Sequence, residues 1–148
     1  GNYSEINALY NSAYKSAGVD AEEFPDTDNI SSVAVKVAQK YNAIVLASGK
    51  IDIITDGKQL VHIENGTPQL ARVTGTGCLL GALCACCLSV CQDITAAVTA
   101  CAVLGICGQL SQTDKGNGSF MINLIDNISV LTDRDVEDLL KLEVKEIE

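Results

Sequence analysis

The stretch Arg72–Val90, "RVTGTGCLLGALCACCLSV", sets Gly-Thr-Gly directly before a helix-like run of apolar and small residues that carries no charge. Small residues at a helix start let backbone N–H groups approach a ligand closely, and a helix N-terminus favours negative charge. Cys78 is the first side chain after the glycines and places a thiol at that helix start. Taken alone, the stretch is either an anion cradle with a reactive group in it or a tight turn into a buried helix.

Upstream, "IDIITDGKQLVHIENG" (51–66) alternates in polarity and turns at Asp56-Gly57, the signature of a hairpin. His62 lies in its second strand and reads as structural. The short β-branched run "AIVLASG" (43–49) ends in small residues and predicts a buried strand. An amphipathic helix precedes it near Ile30–Tyr41, with Val33, Val37 and Ala38 facing inward. The acidic, proline-containing "VDAEEFPDTDNISS" (19–32) reads as a surface connection. At the start, "GNYSEINALYNSAYKSAG" (1–18) predicts a loop and then a helix. Ser4 would cap that helix, Ile6, Leu9, Tyr10 and Ala13 form its stripe, and Gly18 stops it.

Downstream of the loop 67–75 and its apolar helix, "DITAAVTACAVLGICGQLSQ" (93–112) is hydrophobic almost all round, which predicts a buried helix. "TDKGNGS" (113–119) reads as a loop, "FMINLIDNIS" (120–129) as a helix, and "TDRDVEDLLKL" (132–142) as a short capped helix. The tail "EVKEIE" is a last strand or frays. Helices interleaved with three or four strands argue for an α/β layered domain whose sheet is incomplete.

The 148 residues suffice for one domain with a core, and 47% hydrophobic against 20% charged residues is a globular balance. With 19 acids against 10 bases, the net charge of −9 and the lack of a basic patch argue against nucleic acid or an anionic membrane as partner. The apolar run Cys78–Cys91 is too short to span a bilayer. No signal peptide or lipidation motif opens the chain, so a cytoplasmic setting is expected. The seven cysteines are an odd number in apolar segments, unlike a secreted disulfide framework. Cys84, Cys87 and Cys91 share a helical face, but no histidine lies near them, and packing as small hydrophobes is favoured over a metal site.

Two nucleotide motifs fail. Gly75, Gly77 and Gly81 approach a dinucleotide fingerprint, but the Pro68-containing "NGTPQLARV" precedes them instead of a tight strand. Asp93, near the spacing of the ribose-binding acid, falls between two helices. A Walker loop lacks its Lys-Ser/Thr. Three features favour an anion site over a plain turn. Ser48-Gly49 ends a buried strand, where open α/β sheets bind ligands. "TDKGNGS" adds a second glycine-rich loop. Asn2 and Glu5 offer an amide and a carboxylate suited to hydrated Mg²⁺, although on sequence alone a plain helix start is the favoured reading of the pair.

The segments "GNYSEI", "AGVDA", "IVLASGKIDIITDG", "ENGTPQL", "RVTGTGCLLGAL" and "DKGNGSF", in this order, resemble the C-terminal half of the hydroxyethylthiazole kinase family. The resemblance runs along essentially the whole chain, and "VTGTGC" with its upstream Asn65-Gly66, Pro68 and Leu70 is specific to that family. It implies a three-layer α/β/α ribokinase-like fold, with residues 1–148 forming the C-terminal portion of a single kinase domain with an incomplete sheet. The implied activity is ATP-dependent phosphorylation of the hydroxyl of 4-methyl-5-(2-hydroxyethyl)thiazole in thiamin salvage, with Mg²⁺.

By the resemblance, Gly75, Thr76, Gly77 and Cys78 correspond to the anion hole, and Gly75 also to a substrate-binding glycine. Ser48 stands where the family has a nucleotide-binding Thr, and Asn2 and Glu5 match the metal-associated Asn-x-x-Glu. Cys78 occupies the position held by a catalytic Asp in the wider superfamily. A thiolate beside the transferring phosphate would add negative charge, so Cys78 is expected to orient the hydroxyl rather than act as a full base. The family's trimer, with active sites at subunit interfaces, is implied as well. So is an N-terminal half with an ATP-contacting Arg, without which the chain is expected to be inactive and poorly soluble. The competing readings are a hydroxymethylpyrimidine or sugar kinase, which usually carry Asp at the position of Cys78, and a non-catalytic fragment.

Overall fold

A computed structural model describes residues 1–11 and 27–147; the expected stripe position Ala13, the stop at Gly18 and the connection at 19–26 lie outside them. The chain forms two compact units, residues 1–62 with 142–148, and residues 63–141.

In the first unit α1 (Tyr3–Tyr10) starts with a capping box: Asn2 Oδ1 accepts from Glu5 N–H at 2.9 Å, and Glu5 Oε2 accepts from Asn2 N–H at 2.8 Å. The cap is therefore Asn2 and not the expected Ser4, which is buried inside the first turn. A serine could have done the same job, but the carboxylate three residues after Asn2 closes the reciprocal pair. Ile6 is buried as expected, whereas Leu9 and Tyr10 of the predicted stripe are exposed. The second helix, α2 (Thr27–Tyr41), begins within the segment read as a connection and turns Ile30, Val33, Val37 and Ala38 into the core. It packs on α1 and on strands β1 (Val45–Ala47) and β2 (Asp52–Thr55).

Strand β1 runs antiparallel to β2, with Leu46 opposite Ile54. The Asp56-Gly57 turn leads into β3 (Gln59–Ile63), as the alternation predicts. Asp56 Oδ1 accepts from Lys58 and Gln59 N–H groups, and these bonds hold its carboxyl below the usual range. The tail is a strand, β4 (Leu142–Glu146), adjacent to β3, and Ile147 N–H bonds to the Lys58 carbonyl. The sheet order is β1-β2-β3-β4. His62 is buried in β3, 3.0 Å from Ser31 Oγ through Nε2, which ties α2 to the sheet.

The second unit is helical. The loop expected over 67–75 contains a short helix, α3 (Pro68–Ala71), capped by Thr67 with proline at its start. The helices α4 (Thr76–Leu88) and α5 (Ile94–Leu110) follow and pack together. Asp93, the rejected ribose acid, caps α5 by accepting from Thr95 N–H at 2.7 Å. As its apolar circumference predicts, α5 is buried along most of its length. Its Gly105 is required by close approach: a Cβ there would come within 2.7 Å of the Asn65 carbonyl oxygen. Next, α6 (Asn117–Val130) starts three residues earlier than expected, inside the glycine-rich loop, and buries Phe120 and Leu124. The final helix, α7 (Asp133–Leu139), carries the expected cap, a reciprocal pair between Thr132 and Asp135.

The largest departure is α4. Among the described residues of this helix only Leu80 is buried. Cys84, Cys87 and Cys91 are half-exposed rather than packed away, and Cys78 and Cys86 are exposed, whereas Cys101 and Cys107 of α5 are buried. A helix without charges satisfies the burial pattern only when something covers it.

Candidate active site

The residues singled out in the sequence fall into two groups, one in each unit. In the first unit Asn2 and Ser48 are brought side by side by a parallel bridge at the outer edge of β1. Ser48 N–H donates to the Gly1 carbonyl at 2.9 Å, and Gly1 N donates to the Leu46 carbonyl at 3.0 Å. The chain then enters α1, so that the half-buried hydroxyl of Ser48 and the exposed carboxylate of Glu5 stand on neighbouring segments. The sequence reading missed Tyr3. Its hydroxyl donates to the Ile51 carbonyl across the turn after Ser48, and burial pushes its pKa up to about 12. An aromatic residue between the two candidate polar positions was the only available signal.

Asn2 and Glu5 fit a hydrated Mg²⁺ in donor chemistry. Both present hard oxygens, and one carboxylate with water and phosphate oxygens is how this ion is usually held. Among the described residues no three His, Cys, Asp or Glu side chains converge to form a direct protein cage. The hydrogen bonds that build the helix cap hold both side chains in place.

In the second unit the loop is built around Gly75, which sits at φ +102° as the N-cap of α4. L-residues with a Cβ are strained in this left-handed region, and no atom within 4 Å would otherwise obstruct a side chain there. The first helical bond runs from Leu79 N–H to the Gly75 carbonyl at 2.9 Å. The N–H groups of Thr76, Gly77 and Cys78 precede it and have no acceptor within the helix. No side chain caps this end. Cys78 is exposed on the first turn.

Thr76 plays a different part from its neighbours. Its hydroxyl donates to the Leu70 and Val73 carbonyls at 3.0 and 3.2 Å, tying the helix start back onto the preceding loop. That loop is itself anchored. Buried Asn65 donates through Nδ2 to Gln109 Oε1 and the Leu139 carbonyl, and its Oδ1 accepts from Lys141 N–H, at 2.7–2.8 Å. Gln69 exchanges two hydrogen bonds with the backbone of Thr113. Asn117, from the second glycine-rich loop, donates to the Arg72 carbonyl at 3.1 Å. The two glycine-rich loops are thus joined. Periodicity could not reveal these amide anchors, because their partners lie 44 to 76 residues away.

The order of these parts is that of a known group of proteins. A model of the hydroxyethylthiazole kinase family matches residues 1–134. The chain belongs to this family. It is 36% identical over 148 residues to a hydroxyethylthiazole kinase of Pyrococcus furiosus, covering 99% of this chain and 56% of that protein. It is 41% identical over 143 residues to one of Actinobacillus succinogenes, covering 93% of this chain and 53% of that protein. The solved structure of the hydroxyethylthiazole kinase from Pyrococcus horikoshii OT3 superimposes with a TM-score of 0.85 at 26% identity, over 99% of this chain and 54% of that one. The α/β fold expected from the sequence is the one shared with that kinase. The chain spans about half the length of the relatives it matches.

Proposed function

We propose that this chain is the C-terminal portion of a single kinase domain that transfers a phosphoryl group from ATP to the hydroxyl of 4-methyl-5-(2-hydroxyethyl)thiazole in thiamin salvage. The observation that carries the reading is the left-handed Gly75 feeding three N–H groups without helical acceptors into α4, with exposed Cys78 next in line, in a chain of this family. Phosphoryl transfer passes through a loose transition state, so positioning and charge stabilisation supply most of the catalysis. The N–H groups of Thr76, Gly77 and Cys78 would stabilise the transferring group's equatorial oxygens. Thr76 holds the loop in shape through its hydroxyl, so its contribution at the site is its backbone. Gly75 contacts the substrate, and Cys78 orients the acceptor hydroxyl.

Ser48 takes the nucleotide role, with a hydroxyl where the family has threonine. Asn2 and Glu5 would hold a magnesium ion, and its charge would offset that of the phosphates. The proposed assembly is cytoplasmic and trimeric with active sites at subunit interfaces, and the working enzyme includes the half of the relatives that this chain does not match. The family match favours thiazole over hydroxymethylpyrimidine or sugars, and so does Cys in place of Asp at position 78.

The test is phosphorylation of the thiazole alcohol by ATP, followed by mass spectrometry, on the native complex that contains this chain. Product from a complex with a second polypeptide is the expected result, with the chain alone silent. Turnover by a monodisperse preparation of the chain alone contradicts the requirement for the other half, and preference for the pyrimidine alcohol overturns the substrate. In the active complex Cys78→Asp keeps or raises turnover; a loss beyond about a hundredfold shows that the thiol does more than orient.

A further inference from the structure

Gly1, Asn2 and Tyr3 each engage the end of β1 or the turn after it, and Tyr3 does so through its side chain. Ser48 N–H donates to the Gly1 carbonyl at 2.9 Å, and Asn2 forms the parallel bridge with Ser48. Past Ser48 the chain turns through Gly49, Lys50 and Ile51 into β2. Gly49 N–H closes that turn locally, donating to Asp52 Oδ1 at 3.1 Å. Tyr3 reaches across to it: the hydroxyl donates to the Ile51 carbonyl, and the ring lies against Gly49.

The fit at Gly49 is tight. A Cβ there would overlap the outer edge of the Tyr3 ring, coming within 2.6 and 2.8 Å of Cε1 and Cε2. Gly49 has no left-handed φ, so glycine is needed here for the space the ring takes and not for backbone freedom. The body of the ring packs against the core cluster that includes Ile6, Ile30 and Ala47, and the Ile51 carbonyl fixes its tip. A stiff side chain held at both ends thus grips the turn on the far side of Ser48. In sequence the same residue stands between Asn2 and Glu5.

We propose that Tyr3 is a positioning residue for the nucleotide: by clamping Gly49 and Ile51 it sets the place of the Ser48 hydroxyl beside the start of α1. The inference rests on the kinase reading for what Ser48 binds. The Tyr3 hydroxyl is committed to Ile51, so Tyr3 acts on the nucleotide through Ser48. Phosphoryl transfer depends on placement more than on covalent chemistry, and a loosened turn therefore weakens it. The acceptor alcohol is handled at the Gly75 cradle by other residues, so its binding does not depend on this clamp.

The experiment compares the native complex that contains this chain with its Tyr3→Phe and Gly49→Ala variants. Tyr3→Phe removes the hydroxyl and leaves the ring packed, whereas Gly49→Ala displaces the ring and leaves the hydroxyl in place. Amide hydrogen exchange is read first without ligand, then ATP affinity by calorimetry, then KM for each substrate. Both variants should exchange faster across 48–51 with exchange in α5 unchanged. ATP affinity should fall, and KM for ATP rise, by about threefold to tenfold, the range set by one lost hydrogen bond. KM for the alcohol should stay within about twofold of the parent. Unchanged exchange across 48–51 in Tyr3→Phe overturns the proposal. Faster exchange in α5 with both KM values raised together makes Tyr3 a purely structural residue and overturns it as well. A parent complex that binds no ATP removes the kinase reading and the proposal together; ATP binding that neither variant alters removes the proposal alone.

Discussion

The helices α4 and α5 are neighbours in sequence and nearly equal in chemistry, yet they end in opposite surroundings. Both lack charged residues within their helical spans and both draw on Ala, Leu, Gly and Cys. Most of α5 is buried, whereas α4 shows one side to solvent. An apolar composition states that a helix must be covered and does not say by what. For α5 the cover lies within this chain: α4, α6, α7 and the backbone at Asn65 surround it. The exposed side of α4 has no such cover among the described residues.

The sharpest way to break this contrast is to place the same charge on each helix. Ala100 of α5 is fully buried, and Ala100→Glu should cost about 3–5 kcal/mol, because an unpaired carboxylate would be forced into an apolar interior. Ala82→Glu on the open side of α4 should stay within about 0.5 kcal/mol of the parent. Urea unfolding of the two variants measures both. Equal losses would mean that α4 is covered in solution.

That contrast also marks the limit of what the sequence disclosed. The inward face of α2, the Asp56-Gly57 hairpin and the cap at Thr132 were legible because each depends on residues within a few positions of one another. The short helix α3 was hidden inside a segment whose proline and glycines read as loop. In the candidate site Gly75 and Cys78 were legible from spacing and resemblance, and Asn2 and Ser48 were legible only as separate suspects. Their pairing at the edge of β1 needed the fold. Asn65, Gln69 and Asn117 were invisible, since nothing local to an amide reveals a partner 44 or more residues away.

A smaller effect distinguishes the glycines of the two helices. Gly105→Ala should destabilise by about 1–3 kcal/mol, because the new methyl meets the fixed backbone of Asn65 rather than a flexible side chain. Gly81→Ala meets nothing and should stabilise the chain by about 0.5–1 kcal/mol through higher helix propensity. Opposite signs in thermal melts of the two variants are expected. Destabilisation by Gly81→Ala in the isolated chain would show that something already lies against α4.

The smallest effect concerns how the two helices begin. Asp93 caps α5 with a carboxylate whose pKa is held down by hydrogen bonds from the Thr95 side chain and N–H and from the Cys91 thiol. Gly75 gives α4 no side chain with which to cap. A carboxyl whose folded-state pKa is depressed adds stability above its unfolded value of 3.8 and loses it as pH falls through the folded value. Stability should therefore decline with acid in that window. Asp93→Asn, which keeps a capping oxygen but cannot ionise, should flatten part of the decline in urea midpoints between pH 5 and 3. Asp135, capping α7 and held low chiefly by its bonds with Thr132, titrates in the same direction. If Asp93→Asn leaves the acid limb unchanged while Asp135→Asn flattens it, the pH sensitivity of this unit resides at α7. The starts of α4 and α5 would then be equally indifferent to charge, and only their cover would distinguish the two helices.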